Sequence, residues 1–374
     1  MFGAREGAWS ASISLIGVAI WATCAALAGQ RHAPLGIIEL LFLFALLVIV
    51  PLGLELARAL DPQPRTRLAD CLHLCQPLAA IAACTAFWIR PGRVSAAFAF
   101  LWFLECVLLA LSRVVQCQRS NRTLVTFIVG LAYADLALGS AWFVVSRAGA
   151  RPMGFQEPIV LLTAVHFHYS GFATAVVAAV SLQAMAKSGL RLPGLRALVL
   201  LVVMLPFVVA AGFVFSPFLR FVAALAFEAS LVLFAGIVFW FANGLRSRPA
   251  RMYLRIACCA VGVGLAVASV YAASEFLGKD WITVPAMANS HGLLNGLGFV
   301  LLAMLAWLAE MQETAANRLE GPPRQQKRFS GAQSASRIVE VAHARRDTQG
   351  YGPELPVPAE FVAHDFSGPI IKGS

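Results

Sequence analysis

"LLTAVHFHYSGFATAVV" (residues 161–177) is an apolar run that carries two imidazoles and a phenol, His166, His168 and Tyr169. Its length and greasiness fit a helix crossing lipid. Its polar residues are costly there, because a membrane span hydrogen-bonds its own backbone and gains nothing from extra polar side chains. The surrounding sequence repeats the apolar part of this pattern. Of 374 residues, 59% are hydrophobic and 13% charged, about half the charge fraction of a soluble chain.

Mostly apolar stretches of the roughly 20 residues that cross a ~30 Å hydrocarbon core recur up to about residue 310. Spans are predicted at 9–29, 35–58, 69–89, 94–112, 123–146, 157–184, 195–216, 221–244, 254–277 and 286–310. A membrane β-barrel would instead show segments of about ten residues alternating in polarity. The expected fold is therefore all-α, a polytopic transmembrane helix bundle of about ten spans. The first span is read as a retained signal anchor, since its apolar run exceeds the 7–15 residues of a signal h-region. The domain reading is a transmembrane helical domain over 1–310 and a cytoplasmic, mostly disordered tail over 311–374. That tail is rich in polar residues, proline and glycine, with a short helix expected near 336–346.

The net charge of +10 does not point to nucleic acid, because lysine and arginine are scattered through short connecting loops. They are about twice as frequent in one alternate set of loops (Arg58, Arg65 and Arg67; Arg113, Arg119 and Arg122; Lys187, Arg191 and Arg196; Arg246, Arg248, Arg251 and Arg255) as in the other. The positive-inside rule then places both termini in the cytoplasm. The eight cysteines lie mostly within apolar spans, which excludes a disulfide framework. Cys71 and Cys75 share a helix face, but His73 points away from it, so no zinc site is read there.

With that orientation, the polar residues fall between mid-membrane and the outer side. Glu39, Glu105, Asp135, Glu228, Glu275, His291 and Asn295 join the 166–169 group there, and Glu55 alone lies near the inner end. The expectation is one outward-opening pocket reaching half-way into the bundle. Thr163, His166, Ser170 and Thr174 recur at spacings of three and four and form one stripe, flanked by Tyr169. His168 stands about 200° round the helix from His166, so it is expected to bond a neighbouring helix instead. Gly292 and Gly296 have the small-xxx-small spacing of close helix contact, beside His291 and Asn295. His166, Asp135, Glu228 and His291 are read as proton-exchanging or catalytic groups. Tyr169, Asn295, Glu105 and Ser170 are read as substrate-binding.

"HFHYSGF" (166–172) and "HGLLNGLGF" (291–299) resemble motifs of the YndJ-like family of bacterial integral membrane proteins. The resemblance implies a multi-pass protein of the bacterial cytoplasmic membrane and supports His166, His168, Tyr169, His291 and Asn295 as site residues. It supplies no reaction.

Three functions follow from the residues. The first is a proton-coupled transporter of a small solute. The second is an intramembrane enzyme acting on a lipid or isoprenoid, by acid-initiated terpene-type cyclisation or by metal-assisted hydrolysis through His166, His291 and a carboxylate. The third is a scaffold whose tail docks a cytoplasmic partner. No HExxH, phosphate-cradling glycine loop or aspartate-rich diphosphate motif is present, and no cofactor is expected. The expected partners are the lipid bilayer and a small-molecule or lipid-like substrate.

Overall fold

The computed structural model describes residues 2–30, 35–60, 66–119 and 123–319. The chain divides into two compact units, Met1–Ala315 and Ala316–Ser374. In the second, only the end of a helix running to Leu319 is described. The helix thus passes the expected boundary at 310, and the rest of the tail, including the helix expected near 336–346, lies outside the described residues.

Among the described residues, ten helices are long and apolar enough to span a membrane: α1 Ser12–Gly29, α2 Ile37–Ala59, α3 Arg67–Ala86, α4 Arg93–Gln116, α5 Leu124–Arg147, α6 Ile159–Lys187, α7 Leu195–Phe215, α8 Pro217–Gly244, α9 Arg248–Phe276 and α10 Val284–Asn317. Among the described residues there is no strand. Threonine and serine start many of these helices by accepting an early backbone N–H. Thr66 takes that of Ala69 (3.2 Å), and Ser216 that of Leu219 (3.4 Å). Prolines Pro217, Pro249 and Pro285 occupy first turns, where a missing N–H is harmless.

Two helices form the middle of the bundle. α2 and α6 are 83% and 78% buried, against 17–50% for the other eight. A helix apolar all round belongs inside, and "LLFLFALLVIV" of α2 is such a sequence. Lipid is as apolar as leucine, so helices associate through packing and hydrogen bonds rather than hydrophobic drive. The inner aromatic residues supply that packing. Phe42 of α2 lies 4.5 Å from the ring centre of Phe143 and 6.0 Å from that of Phe87.

The connections at 87–92, 148–158, 216 and 277–283 lie at one end of the bundle. Three contacts tie that end together. The amide of Gly92 donates to the carbonyl of Arg147 (2.7 Å), Phe155 meets Phe213, and Arg220 pairs with Glu275. At the opposite end, Glu310 of α10 accepts the backbone amides of Arg246 and Ser247 where α9 begins.

Four stretches wind as π-helix: Ala45–Ile49 in α2, Phe167–Ala173 in α6, and Ala288–Gly292 and Leu294–Leu301 in α10. The wide turn leaves carbonyls poorly matched to their own amides. In α6 the hydroxyl of Thr174 takes up one, donating to the carbonyl of Tyr169 at 3.0 Å. The π-helical stretches of α6 and α10 coincide with the two polar motifs.

Candidate functional site

The π-helical part of α6 faces a recess that enters from the end carrying Ile159, Pro217 and Phe276. It encloses about 250 Å³, just below the roughly 300–1,000 Å³ of small-molecule sites. Its walls come from α6, α7, α8, α9 and α10, with Leu41 of α2, and they are mainly apolar. On α8 the lining residues Pro217, Arg220, Phe221, Ala224, Phe227, Glu228 and Leu231 follow helical spacing, so one face of that helix forms a continuous wall.

Six of the eight residues read from the sequence as site residues line this recess: His166, Tyr169, Ser170, Glu228, His291 and Asn295. Their hydrogen bonds determine what each can do. Nδ1 of His166 lies 2.8 Å from the carbonyl of Leu162, one turn back on its own helix. A carbonyl only accepts, so Nδ1 carries the proton and Nε2 keeps its lone pair on the recess side. His291 repeats the arrangement across helices, its Nδ1 donating to the carbonyl of Gly264 on α9 at 3.0 Å. Its Nε2 accepts from Nδ2 of Asn295 at 3.1 Å, which fixes the ring. Glu228 is buried in the α8 wall and accepts from the hydroxyl of Ser269 on α9. Tyr169 donates its hydroxyl to the carbonyl of Leu41 at 2.9 Å, so the phenol ties α6 to α2.

Glycines make these approaches possible. A Cβ at Gly292 would stand 2.6 Å from Leu41 Cδ1, and one at Gly264 would stand 2.9 Å from Oδ1 of Asn295. A Cβ at Gly296 would meet the Tyr169 ring at 3.3 Å. The glycine pair of α10 is thus where that helix presses on α2 and α6.

Asp135 and Glu105 do not join the recess, contrary to the single-pocket expectation. Asp135 faces the far side of the same π-helical turn. It is completely buried, and both carboxylate oxygens lack a hydrogen-bond partner. A Cβ on Gly171 would lie 2.7 Å from its Cβ and Cγ, so the glycine makes room for the acid. Glu105 on α4 is 5% exposed with Oε1 unpartnered. His168 belongs to this second layer, bonded through Nδ1 to the carbonyl of Ala164 (2.8 Å) and accepting from the Trp102 indole at 3.2 Å on Nε2. The physical reason is azimuth. Distance along a helix sets depth in the membrane, but which way a side chain turns is set by packing. Glu39 is likewise outside the recess and caps the start of α2 by accepting the amide of Gly36 at 2.9 Å.

The recess also contains Arg220, which was not among the site residues read from the sequence. Arg220 pairs through Nη2 with Oε1 of Glu275 at 2.9 Å, and its guanidinium lies 4.6 Å from the ring centre of Phe213. α8 begins at Pro217 rather than 221, which brings Arg220 into the first turn. A lone arginine just after a Ser-Pro helix start was the available signal. Among the described residues no three His, Cys, Asp or Glu side chains are placed to hold a metal ion. The metal-assisted variant through His166, His291 and a carboxylate therefore lacks its ligand set.

No solved structure matches the chain. A curated relative, "Uncharacterized membrane protein YndJ" of Bacillus subtilis (strain 168), is 29% identical over 241 residues, which are 63% of this chain and 42% of that protein. This chain therefore aligns with less than half the length of that relative. The family model described as YndJ-like protein matches residues 40–299, a span that holds all six of the sequence-read residues lining the recess. With most of its length and its whole polar site inside that match, this multi-pass membrane protein belongs to the YndJ-like family.

Proposed function

We propose that the bundle is an intramembrane enzyme that binds a lipid-like, unsaturated molecule in the recess and acts on it by proton transfer. One observation carries this reading: an apolar recess entered from one end, with the acid Glu228 and the unbonded imidazole nitrogen of His166 set into its walls. A small polar solute would gain little from walls of Leu, Val and Phe. An isoprenoid chain would be at home there.

The chemistry needs no cofactor. The carboxyl of Glu228 adds a proton to an alkene carbon, the π electrons forming the new C–H bond. The cation left behind faces the rings of Phe213, Phe221 and Phe227. It rearranges or closes a ring by taking electrons from a second alkene. Loss of a proton from a neighbouring carbon to Nε2 of His166 then restores a double bond. One proton enters and one leaves. Ser170, whose hydroxyl lines the recess, and Asn295 position the chain. Asp135 and Glu105 have no part in this step.

The test is a lipid profile of cells expressing the wild type, Glu228→Gln or His166→Ala at matched membrane levels. The reading expects one lipid species to fall and an isomer of equal mass to rise with the wild type only. Identical profiles in all three would overturn it.

The proton-coupled transporter is the second reading, favoured by one observation. Asp135 is a buried, unpartnered carboxylate directly behind the recess-lining turn of α6, a placement that suits a proton carrier. That reading expects reagent access to Ser170 from both membrane faces.

A further inference from the structure

Arg220 stands out among the residues around the recess. It is the one lysine or arginine in the lining, and it sits at the entrance end. Its side chain keeps 21% of its surface accessible. The ion pair engages one guanidinium nitrogen with one oxygen of Glu275, leaving further N–H donors of the fork open. The backbone of Arg220 is held firmly, since a Cβ on Gly212 would lie 2.4 Å from its Cα, so the α7–α8 hairpin closes tightly at this point.

From Arg220 the α8 wall runs inward through Phe221, Ala224 and Phe227 to Leu231. At 1.5 Å per residue this is about 16 Å of helix. Half of a ~30 Å hydrocarbon core is about the same depth. The recess therefore has the proportions of one leaflet: a cation where head groups sit and an apolar channel as deep as a tail. α9, packed against α8, continues the wall with the same polarity, Glu275 and Phe276 at the entrance and Ala268 and Leu265 below.

We propose that the ligand of this recess is a single-chain amphiphile with an anionic head group, a carboxylate or a phosphate. Its head docks on Arg220 and its tail lies along α8 towards Leu231. This rests on the reading of the recess as a site for a lipid-like molecule and adds the head-group class and the direction of binding. Glu275 holds the guanidinium in place when the site is empty and competes with the incoming anion. Glu228 lies two turns inward from Arg220, so the acid faces the tail of a ligand bound this way, not its head.

The experiment uses the full chain in phosphatidylcholine nanodiscs and displacement of a fluorescent fatty acid, cis-parinarate, by dodecanoate, dodecyl phosphate and dodecanol. Both acids are expected to displace the probe at concentrations at least about ten-fold below dodecanol, as a charge-assisted hydrogen bond requires. Arg220→Gln should weaken the probe, itself a carboxylate, and, once displacement is corrected for the probe's affinity, remove that preference and leave the dodecanol constant unchanged, while Arg220→Lys restores part of it. Glu275→Gln should tighten both acids, an outcome that misfolding cannot imitate. Ala268→Phe, which fills the channel, should abolish displacement by all three. The stronger of the two acids identifies the head-group chemistry. If dodecanol matches the acids, or Arg220→Gln binds them as the wild type does, the head-group assignment fails while the recess reading stands. If no compound displaces the probe saturably, or Ala268→Phe changes nothing, the recess reading fails as well.

Discussion

The two faces of the π-helical turn Phe167–Ala173 carry similar residue types in opposite circumstances. On one face, His166 and Ser170 border open space with Glu228 and His291 opposite. On the other, His168 is fully buried with both ring nitrogens bonded, and Asp135 is packed against Gly171 with no bond at all. Two imidazoles two residues apart thus do different work. His168 fastens α6 to α4 through Trp102, whereas His166 keeps a nitrogen free for a ligand. A polar side chain inside a membrane protein marks a binding site only when space lies in front of it. When protein lies in front of it, the same side chain is a fastener or a buried cost.

The largest expected effect comes from filling the dry face. Gly171→Leu would drive several atoms into Asp135, where even a single Cβ stands at 2.7 Å. Overpacking costs about 1–3 kcal/mol or more, so the variant should fail to give monodisperse protein by fluorescence-detected size exclusion. Ser170→Leu, one residue away on the open face, should assemble normally. Equal behaviour of the two would erase the distinction between the faces.

His168→Ala comes next. It leaves the Trp102 indole without an acceptor and opens a cavity beneath Phe42, whose ring centre lies 4.9 Å from that of His168. Thermal unfolding in detergent should show a loss of about 2–4 kcal/mol. His166→Ala should lose less than about 1 kcal/mol, since its one bond is to its own helix.

Asp135→Ala sharpens the comparison from the other direction. Removing a buried carboxyl with no partner should leave stability unchanged or raise it by about 1 kcal/mol. A loss above about 2 kcal/mol would mean that the acid is held by a partner such as a bound cation. A similarly small effect is expected at Tyr169→Phe, which forfeits the 2.9 Å bond to the Leu41 carbonyl and should cost about 1 kcal/mol in the same unfolding assay.

Much of this architecture was legible in the sequence because lipid imposes simple rules. Ten apolar runs became ten helices among the described residues, with ends within about four residues of expectation except where α9 starts six residues early at Arg248 and α10 continues past 310. The stripe Thr163–His166–Ser170–Thr174 also lines the recess, since spacing of three and four survives a single wide turn. Asp135 and Glu105 were misplaced because their sequence positions gave depth without direction. Direction came from Gly171, a residue whose role is visible only once α5 and α6 are set side by side. The π-helical turns were not legible either. They depend on competition between amides for carbonyls, which Thr174 and Tyr169 resolve after packing. Arg220 was hidden by its own charge, since an arginine near a span end reads first as a topology signal.

The central claim is that the His166 face is open and the Asp135 face is closed. In a chain with its native cysteines replaced, Ser170→Cys and Asn295→Cys report on the recess, and Ser140→Cys on the fully buried side of α5. A small membrane-impermeant maleimide, applied to sealed vesicles of each orientation, measures the rate of modification. The account predicts rapid reaction at Ser170→Cys and Asn295→Cys from one membrane face and none at Ser140→Cys. Modification of Ser140→Cys at a similar rate, or none at the two recess positions from either face, would contradict it.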